Sequence, residues 1–158
     1  MYLAVSGHRP EKISDPEGVR EAIRFAFLSL EPAAIYCGMA AGVDLWAGKI
    51  ALNMDIAVLA VRPWAGHGPR KADEDMYDEI INNAAEVHIL NKSETYPGPW
   101  VYHSRNHYMV DNAHKVLAVW DWGKVGGTAE CVQYAQAVRK KIYHINPDTG
   151  EAIWLAQP

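Results

Sequence analysis

The residues best suited to chemistry lie in one stretch near the C-terminal end of the chain, between Arg105 and Glu130. Arg105 stands in a helix-like segment, a buried strand follows, and Gly126, Gly127 and Thr128 then form a turn into a second helix. The first N–H groups of a helix lack partners in the helix, and the helix dipole favours an anion beside them. This pattern predicts a phosphate-binding turn, with Arg105 as a candidate phosphate contact.

Two further glycine-rich turns follow apolar runs in the first third of the chain. They contribute the candidate ligand-binding residues Gly7, His8, Arg9, Gly38, Met39, Gly42 and Asp44. Because the carboxyl ends of parallel strands share one edge of a sheet, residues 7–10, 38–44 and 121–128 are predicted to line one crevice. The expected partner is a phosphorylated, nucleotide-like small molecule.

Several of these candidates have a structural alternative. The glycines either approach a phosphate or permit tight strand-to-helix turns. Thr128 either bonds phosphate or caps its helix. Arg9 and Arg105 either contact phosphate or pair with carboxylates such as Asp44 and Asp111, with Asp111 the more structural of the two.

Acidic and histidine side chains beside the turns complete the candidate site. Asp44 and Asp121 follow strand ends, where a carboxylate can bind ribose hydroxyls, although Asp44 also suits the first turn of its helix. His8 either donates a proton near neutral pH or, as a neutral ring, bonds the backbone. Glu130 is the one obvious acid beside the phosphate turn.

The elements that position these residues alternate along the chain. Apolar runs bounded by turn residues predict buried strands at residues 2–6, 34–37, 56–61, 86–90, 115–120 and 142–145. Ser14 and Glu17 have capping-box spacing at the start of the first helix, and Pro32 ends it. The alternation predicts one α/β domain over residues 1–158, with a three-layer Rossmann-like fold and a mainly parallel sheet.

Composition narrows the class of protein. The 158 residues are 49 % hydrophobic and 22 % charged, as in ordinary globular domains. A net charge of -4 disfavours nucleic acid as a partner. No apolar stretch approaches the roughly 20 residues of a membrane span, and no secretion signal is evident, so a cytoplasmic protein without a membrane partner is expected. Cys37 and Cys131 are predicted to be buried, reduced thiols.

Other motifs fail on spacing. Gly42, Gly48 and Lys49 lack the interval and the following Ser or Thr of a Walker loop, and no G-x-G-x-x-G follows the first strand. His103 and His107 are four residues apart but lack a third metal ligand. We therefore expect no metal and no cofactor.

The tryptophans divide into two groups. Trp46 lies on a predicted helix and is expected in the core. Trp64, Trp100 and Trp122 follow predicted strands, where they either pack or stack on a base.

Five segments match one family in order and spacing. They are SGHRP at 6–10, CGMAAGVDLWAG at 37–48, RN followed by MVD at 105–111, VWD at 119–121 and GGTAECVQYA at 126–135. Together they resemble the YpsA-like proteins, small bacterial and phage proteins of the SLOG superfamily, which also contains the Lonely Guy phosphoribohydrolases and the DNA-processing protein A fold. The resemblance implies a Rossmann-like domain with a nucleotide or nucleotide-derived ligand at the glycine turns.

The likeness to Lonely Guy enzymes also implies a test for catalysis. These enzymes cleave the N-glycosidic bond of a nucleoside monophosphate, using an arginine in R-K-x-x-M and the glutamate of P-G-G-x-G-T-x-x-E. Arg105 and Met109 match the first pattern, but Cys131 stands where the glutamate belongs. Glu130 lies one residue earlier, about 100° around the helix, so we expect its carboxylate to be out of phase unless the shorter turn rewinds the helix start. That expectation argues against hydrolysis.

Three functions remain after these arguments. The favoured one is binding of a nucleotide-derived phosphorylated molecule, sensed or sequestered without turnover. The alternative is a phosphoribohydrolase with Glu130 and Arg105 as catalytic residues, and the second alternative is interaction with single-stranded DNA or protein. A homo-oligomer is compatible with any of them.

Overall fold

The computed structural model describes residues 1–157 and contains one seven-stranded sheet. The strands are β1 (Tyr2–Gly7), β2 (Ala34–Cys37), β3 (Ala57–Arg62), β4 (Glu86–Ile89), β5 (Lys115–Val119), β6 (Lys141–Ile145) and β7 (Ala152–Trp154). Their order in the sheet is β4-β3-β2-β1-β5-β6-β7, and only β7 runs antiparallel to its neighbour. The predicted α/β fold with a mainly parallel sheet is therefore confirmed.

Helices cover both faces of this sheet. They are α1 (Pro16–Leu30), α2 (Val43–Asn53), α3 (Glu74–Asn83), α4 (Trp100–Asn112) and α5 (Gly127–Ala137). One core lies under α1, α2 and α3, and a second lies under α4 and α5. Alternation along β1 explains the division, because Leu3 and Val5 enter the first core whereas Ala4 enters the second. None of the helices in residues 1–157 has the length and apolar character that a membrane crossing requires.

The strand order creates one topological switch point. From β1 the chain builds the sheet outward through β2, β3 and β4, then crosses back to place β5 on the other side of β1. Ligands of open α/β sheets bind beyond the carboxyl ends of the strands at such a reversal. The carboxyl ends of β1 and β5 meet at Gly7 and Val119, which are register partners.

Two local predictions need correction. The edge strand β7 was not predicted, because all three of its residues are exposed and give no buried alternation. The first helix is capped by Asp15 rather than Ser14: a carboxylate oxygen of Asp15 accepts the Gly18 N–H at 3.0 Å, whereas the Ser14 hydroxyl points to Asp148. Pro16 occupies the first helical turn, as the sequence indicates.

The cap assignment gives a direct test. Asp15→Ala removes the side-chain acceptor of the α1 N-terminus and should lower the free energy of unfolding by about 1 kcal/mol in urea titrations. Ser14→Ala is the matched control and should change it by less than about 0.5 kcal/mol. The reverse ranking would show that Ser14 is the effective cap.

Candidate functional site

The three glycine turns converge on one cleft at the carboxyl ends of the strands. The cleft has a volume of about 870 Å³. Ten of the predicted site residues line it: Gly7, His8, Arg9, Met39, Asp44, Arg105, Gly126, Gly127, Thr128 and Glu130. The predicted crevice is thus present in the fold, formed by the turns after β1, β2 and β5.

Three other predicted site residues support the cleft wall instead of lining it. Gly42 has φ +91°, and a Cβ there would lie 2.5 Å from the His8 carbonyl oxygen. The Gly38 carbonyl accepts a hydrogen bond from Arg105 at 3.0 Å. Asp121 accepts the Gly123 N–H at 2.9 Å, a bond that lowers the pKa of its carboxyl. Gly42 therefore permits a tight turn packed against His8, which is the structural alternative to a phosphate contact.

The N-terminus of α5 opens into the cleft without a side-chain cap. Its N-cap residue is Gly126, at φ +109°, and the first helical bond runs from the Glu130 N–H to the Gly126 carbonyl at 3.0 Å. The N–H groups of Gly127, Thr128 and Ala129 therefore precede the helical ladder and have no partner within residues 1–157. Thr128 lies inside the helix, so it does not act as the N-cap.

Arg105 lines the same cleft and is buried, with 7 % of its surface exposed. One terminal nitrogen donates to the Gly38 carbonyl, the other donates to Asn106 Oδ1 at 3.3 Å, and Nε has no partner. Asn106 in turn donates to the Gly127 carbonyl at 3.2 Å. Arg105 is accordingly both a brace between the β2 and β5 turns and a charge at the cleft surface.

Asp44 shares this buried region with Arg105. Its carboxylate is 5 % exposed and accepts the Ala40 N–H at 3.2 Å. Burial raises the pKa of Asp44 to about 6, although the nearby Arg105 charge works in the opposite direction. No ion pair joins Asp44 and Arg105 within residues 1–157. Asp111, the other carboxylate considered as an arginine partner, accepts a hydrogen bond from the Tyr134 hydroxyl at 2.6 Å.

His8 connects the β1 and β5 turns. Its Nε2 lies 3.1 Å from both the Asp121 backbone N–H and the Asp121 carboxylate. Nε2 cannot both accept a hydrogen bond from the backbone N–H and donate one to the carboxylate. Burial also lowers the pKa of His8. A neutral ring accepting the backbone N–H fits both facts, which is the backbone-bonding alternative from the sequence.

The expected phase of Glu130 was wrong. Glu130 lines the cleft, whereas Cys131 is buried in the α4–α5 core with 1 % exposed, and burial raises the pKa of its thiol to about 12. The shorter glycine turn starts α5 at Gly127, so the residue facing the cleft comes one position earlier than in the longer motif. Cys37 is also a free, buried thiol.

Side chains from α4 hold the Glu130 carboxylate. His107 Nε2 lies 2.6 Å from Oε1, and Asn106 Nδ2 donates to Oε2 at 3.1 Å. His103 Nδ1 lies 3.4 Å from Oε2, and the His107 ring stacks on Tyr134. Within residues 1–157 no group of three or more His, Cys, Asp or Glu is arranged to hold a metal ion.

Part of the cleft wall is aromatic. Trp64 and Tyr102 line it, and Tyr96 makes edge contacts with Trp64 and a tilted contact with Tyr102. The Trp64 indole N–H is buried without a partner. Of the three tryptophans considered for base stacking, only Trp64 is in place, because neither Trp100 nor Trp122 lines the cleft.

Several cleft residues escaped the sequence analysis. Tyr102 lies three residues before Arg105, and this helical spacing is the signal that could have found it. Asn106 and Met109 also line the cleft and stand in the segment that carries the family resemblance. Lys12 had no such signal, since only the packing of the chain brings it to the cleft, whereas Lys124 lies within the predicted turn at 121–128.

Family comparison agrees with the fold. The family model named YpsA, described as the YspA SLOG family, matches residues 26–149. This chain belongs to the YspA SLOG family. It is also 32 % identical over 97 residues to the uncharacterized SPbeta prophage-derived protein YoqJ of Bacillus subtilis strain 168, an alignment that covers 55 % of this chain and 51 % of YoqJ. The chain thus spans about half the length of that curated relative.

Solved structures share this family's architecture. DNA processing protein A from Helicobacter pylori, which binds single-stranded DNA, superimposes with a TM-score of 0.73 at 19 % identity, over 96 % of this chain and 68 % of that chain. DNA processing protein A from Streptococcus pneumoniae superimposes with a TM-score of 0.68 at 22 % identity, over 92 % of this chain and 50 % of that chain. A molybdenum cofactor binding protein from Rippkaea orientalis superimposes with a TM-score of 0.61 at 17 % identity, over 92 % of this chain and 76 % of that chain. At these identities the likeness shows the fold, and it lends no support to the expectation that nucleic acid is not a partner.

The raised pKa of Asp44 predicts a specific pH dependence. Because the folded carboxyl keeps its proton up to about pH 6 instead of the ordinary 3.8, the folded state binds more protons in that window. Its contribution to the free energy of unfolding should therefore fall as pH rises from 4 to 7, by on the order of 3 kcal/mol.

Comparison with Asp44→Asn isolates this effect. Burial lowers the pKa values of His8 and His67, the latter to about 4, so these groups favour folding as pH rises, but they are present in both proteins. In urea titrations, the stability of Asp44→Asn minus that of the wild type should increase between pH 4 and pH 7. A constant difference would mean that Arg105 restores an ordinary pKa to Asp44.

Proposed function

We propose that the cleft binds a nucleotide or nucleotide-derived phosphorylated small molecule, which the protein senses or sequesters. One observation carries the proposal: the N-terminus of α5, which has no side-chain cap within residues 1–157, lines the same cleft as the buried Arg105. Three backbone N–H groups and the helix dipole favour an anion at this place. Arg105 adds a positive charge to the same cleft wall.

The charge balance of the cleft supports an anionic ligand. Five Arg or Lys residues and four Asp or Glu residues line it, although the whole chain carries a net charge of -4. A positive region on an acidic protein raises the local concentration of anions and reduces it elsewhere on the surface.

The aromatic part of the cleft wall supports a base on the same ligand. Trp64 and Tyr102 present ring surface, and base stacking on such rings contributes roughly 1–3 kcal/mol per base. The unpartnered Trp64 N–H adds a donor for a heteroatom. A nucleotide lying with its phosphate at α5 and its base at Trp64 satisfies both features.

Two glycine substitutions test the phosphate position. A Cβ at Gly127 or at Gly68 meets no atom within 4 Å, so both alanine variants should fold normally, although each residue lines the cleft. Adenosine monophosphate at about 100 times its dissociation constant should stabilise the wild type by roughly 2.7 kcal/mol in thermal melts, and adenosine should stabilise it much less.

Gly127→Ala places a methyl group beside the free N–H groups, so it should lose most of this stabilisation. Gly68→Ala, elsewhere in the cleft, should keep it. Equal stabilisation by adenosine and adenosine monophosphate, or an unchanged response in Gly127→Ala, would contradict binding of phosphate at α5.

Hydrolysis of an N-glycosidic bond is the second candidate function. The position of Glu130 in the cleft favours it, since the argument for binding without turnover depended on this carboxylate pointing elsewhere. Asn106 and His107 orient both carboxylate oxygens. A fixed carboxylate can stabilise an oxocarbenium-like transition state or activate water.

Release of free base tests this candidate. If the cleft hydrolyses adenosine monophosphate, chromatography should show adenine formed over many turnovers, and Glu130→Gln should reduce the rate by roughly 10²–10⁴-fold. Cys131→Ala is the matched control and should retain the rate, because that thiol is buried away from the cleft. Absence of adenine release, with binding intact, would leave the protein as a binder.

A further inference from the structure

We propose that the mouth of the cleft contains a second anion subsite, formed by Arg9, Lys12 and Lys124, and that the ligand therefore carries at least two linked phosphates. The inference rests on the proposed function, because the first phosphate is taken to lie at the N-terminus of α5. It goes further by assigning the phosphate count, and it gives a role to three cations that the first subsite does not need.

These three cations are unpaired. Arg9, Lys12 and Lys124 all line the cleft, and none forms an ion pair in the part of the chain from residue 1 to 157. Arg70, on the same cleft, is different because its guanidinium is held by both oxygens of the Glu11 carboxylate. The cluster is thus left with positive charge that the protein does not neutralise.

The cluster adjoins the first subsite. Lys12 Nζ is the one atom within 4 Å of the position that a Cβ on Gly126 would occupy, at 3.8 Å. Lys124 lies two residues before Gly126, in the turn that leads into α5. Burial sets the direction of the pKa shifts of Asp44 and His67, and the Arg9 charge is close enough to act on both groups as well. A phosphate bound at Gly127 would therefore have these cations beside it, on the side that leads to solvent.

The first subsite is complete without them. Three backbone N–H groups, the helix dipole and Arg105 already match one phosphate. Gathering three further like charges in one mouth is unfavourable in the free protein, and an anion in that mouth removes the repulsion. Linked phosphates supply such an anion at a fixed distance from the first.

Carboxylates around the mouth favour a compact polyphosphate over a nucleic-acid strand. Glu11 and Asp73 line the cleft as well, and Asp121 lies near Lys12, since both charges act on His8. A strand would have to carry its phosphates past these acids, whereas a di- or triphosphate ends among the cations.

The test uses inorganic phosphate, pyrophosphate and tripolyphosphate, so that the identity of the base does not matter. Isothermal titration at fixed ionic strength should show that pyrophosphate binds the wild type at least roughly tenfold more tightly than phosphate. Lys12→Ala and Lys124→Ala should each lose most of this gain while keeping their affinity for phosphate. Lys92→Ala, an exposed lysine outside the cleft, should behave as the wild type.

Each other result overturns the inference in a recognisable way. Equal affinities for phosphate and pyrophosphate, with phosphate binding lost in Gly127→Ala, would exclude the second subsite and leave the proposed function standing. If Lys92→Ala also lost the tighter binding of pyrophosphate, that binding would reflect the overall charge of the protein and not a second subsite. Failure of all three anions to bind would remove both subsites, and with them the proposed function. Tighter binding of an oligothymidylate than of tripolyphosphate would assign the cations to a DNA strand.

Discussion

Two adjacent side chains on α4, Arg105 and Asn106, join turns that are far apart in the sequence. Arg105 donates to the Gly38 carbonyl after β2, and Asn106 donates to the Gly127 carbonyl at the start of α5 and to the Glu130 carboxylate. The two residues also bond each other. Because each contact fixes the position of a different turn, the shape of the cleft depends on this buried pair, and the charge of Arg105 is retained at the cleft surface as a result.

The cleft combines groups that are costly to bury. Asp44 and Arg105 are nearly inaccessible, and no ion pair joins them within residues 1–157. A site optimised for stability alone would pair or remove these groups. Their position at the switch point of the sheet, with ordinary packing of the two cores elsewhere, marks the cleft as the candidate functional site.

Much of this arrangement follows from local sequence signals. The six parallel strands were located to within a residue or so at each end, since each is an apolar run between turn residues. The glycine turns were located because they follow such apolar runs. Arg105 was located because it stands in the helix-like segment that precedes the third turn. Two features escaped: β7, whose exposed residues carry no alternation, and the choice of Asp15 over Ser14 as cap, which depends on where a single turn of helix begins.

The sequence by itself determined the α/β class, the parallel sheet and the presence of three glycine turns at strand ends, because these depend on periodicity and on residues only a few positions apart. The tertiary structure alone decided which side chains face the cleft. The phase of Glu130 against Cys131 depends on the residue at which α5 starts, and the approach of Lys12 to Gly126 depends on how two loops pack. The approach of Lys12 to Gly126, like the contact of His8 with Asp121, joins segments more than 100 residues apart, which no local pattern encodes.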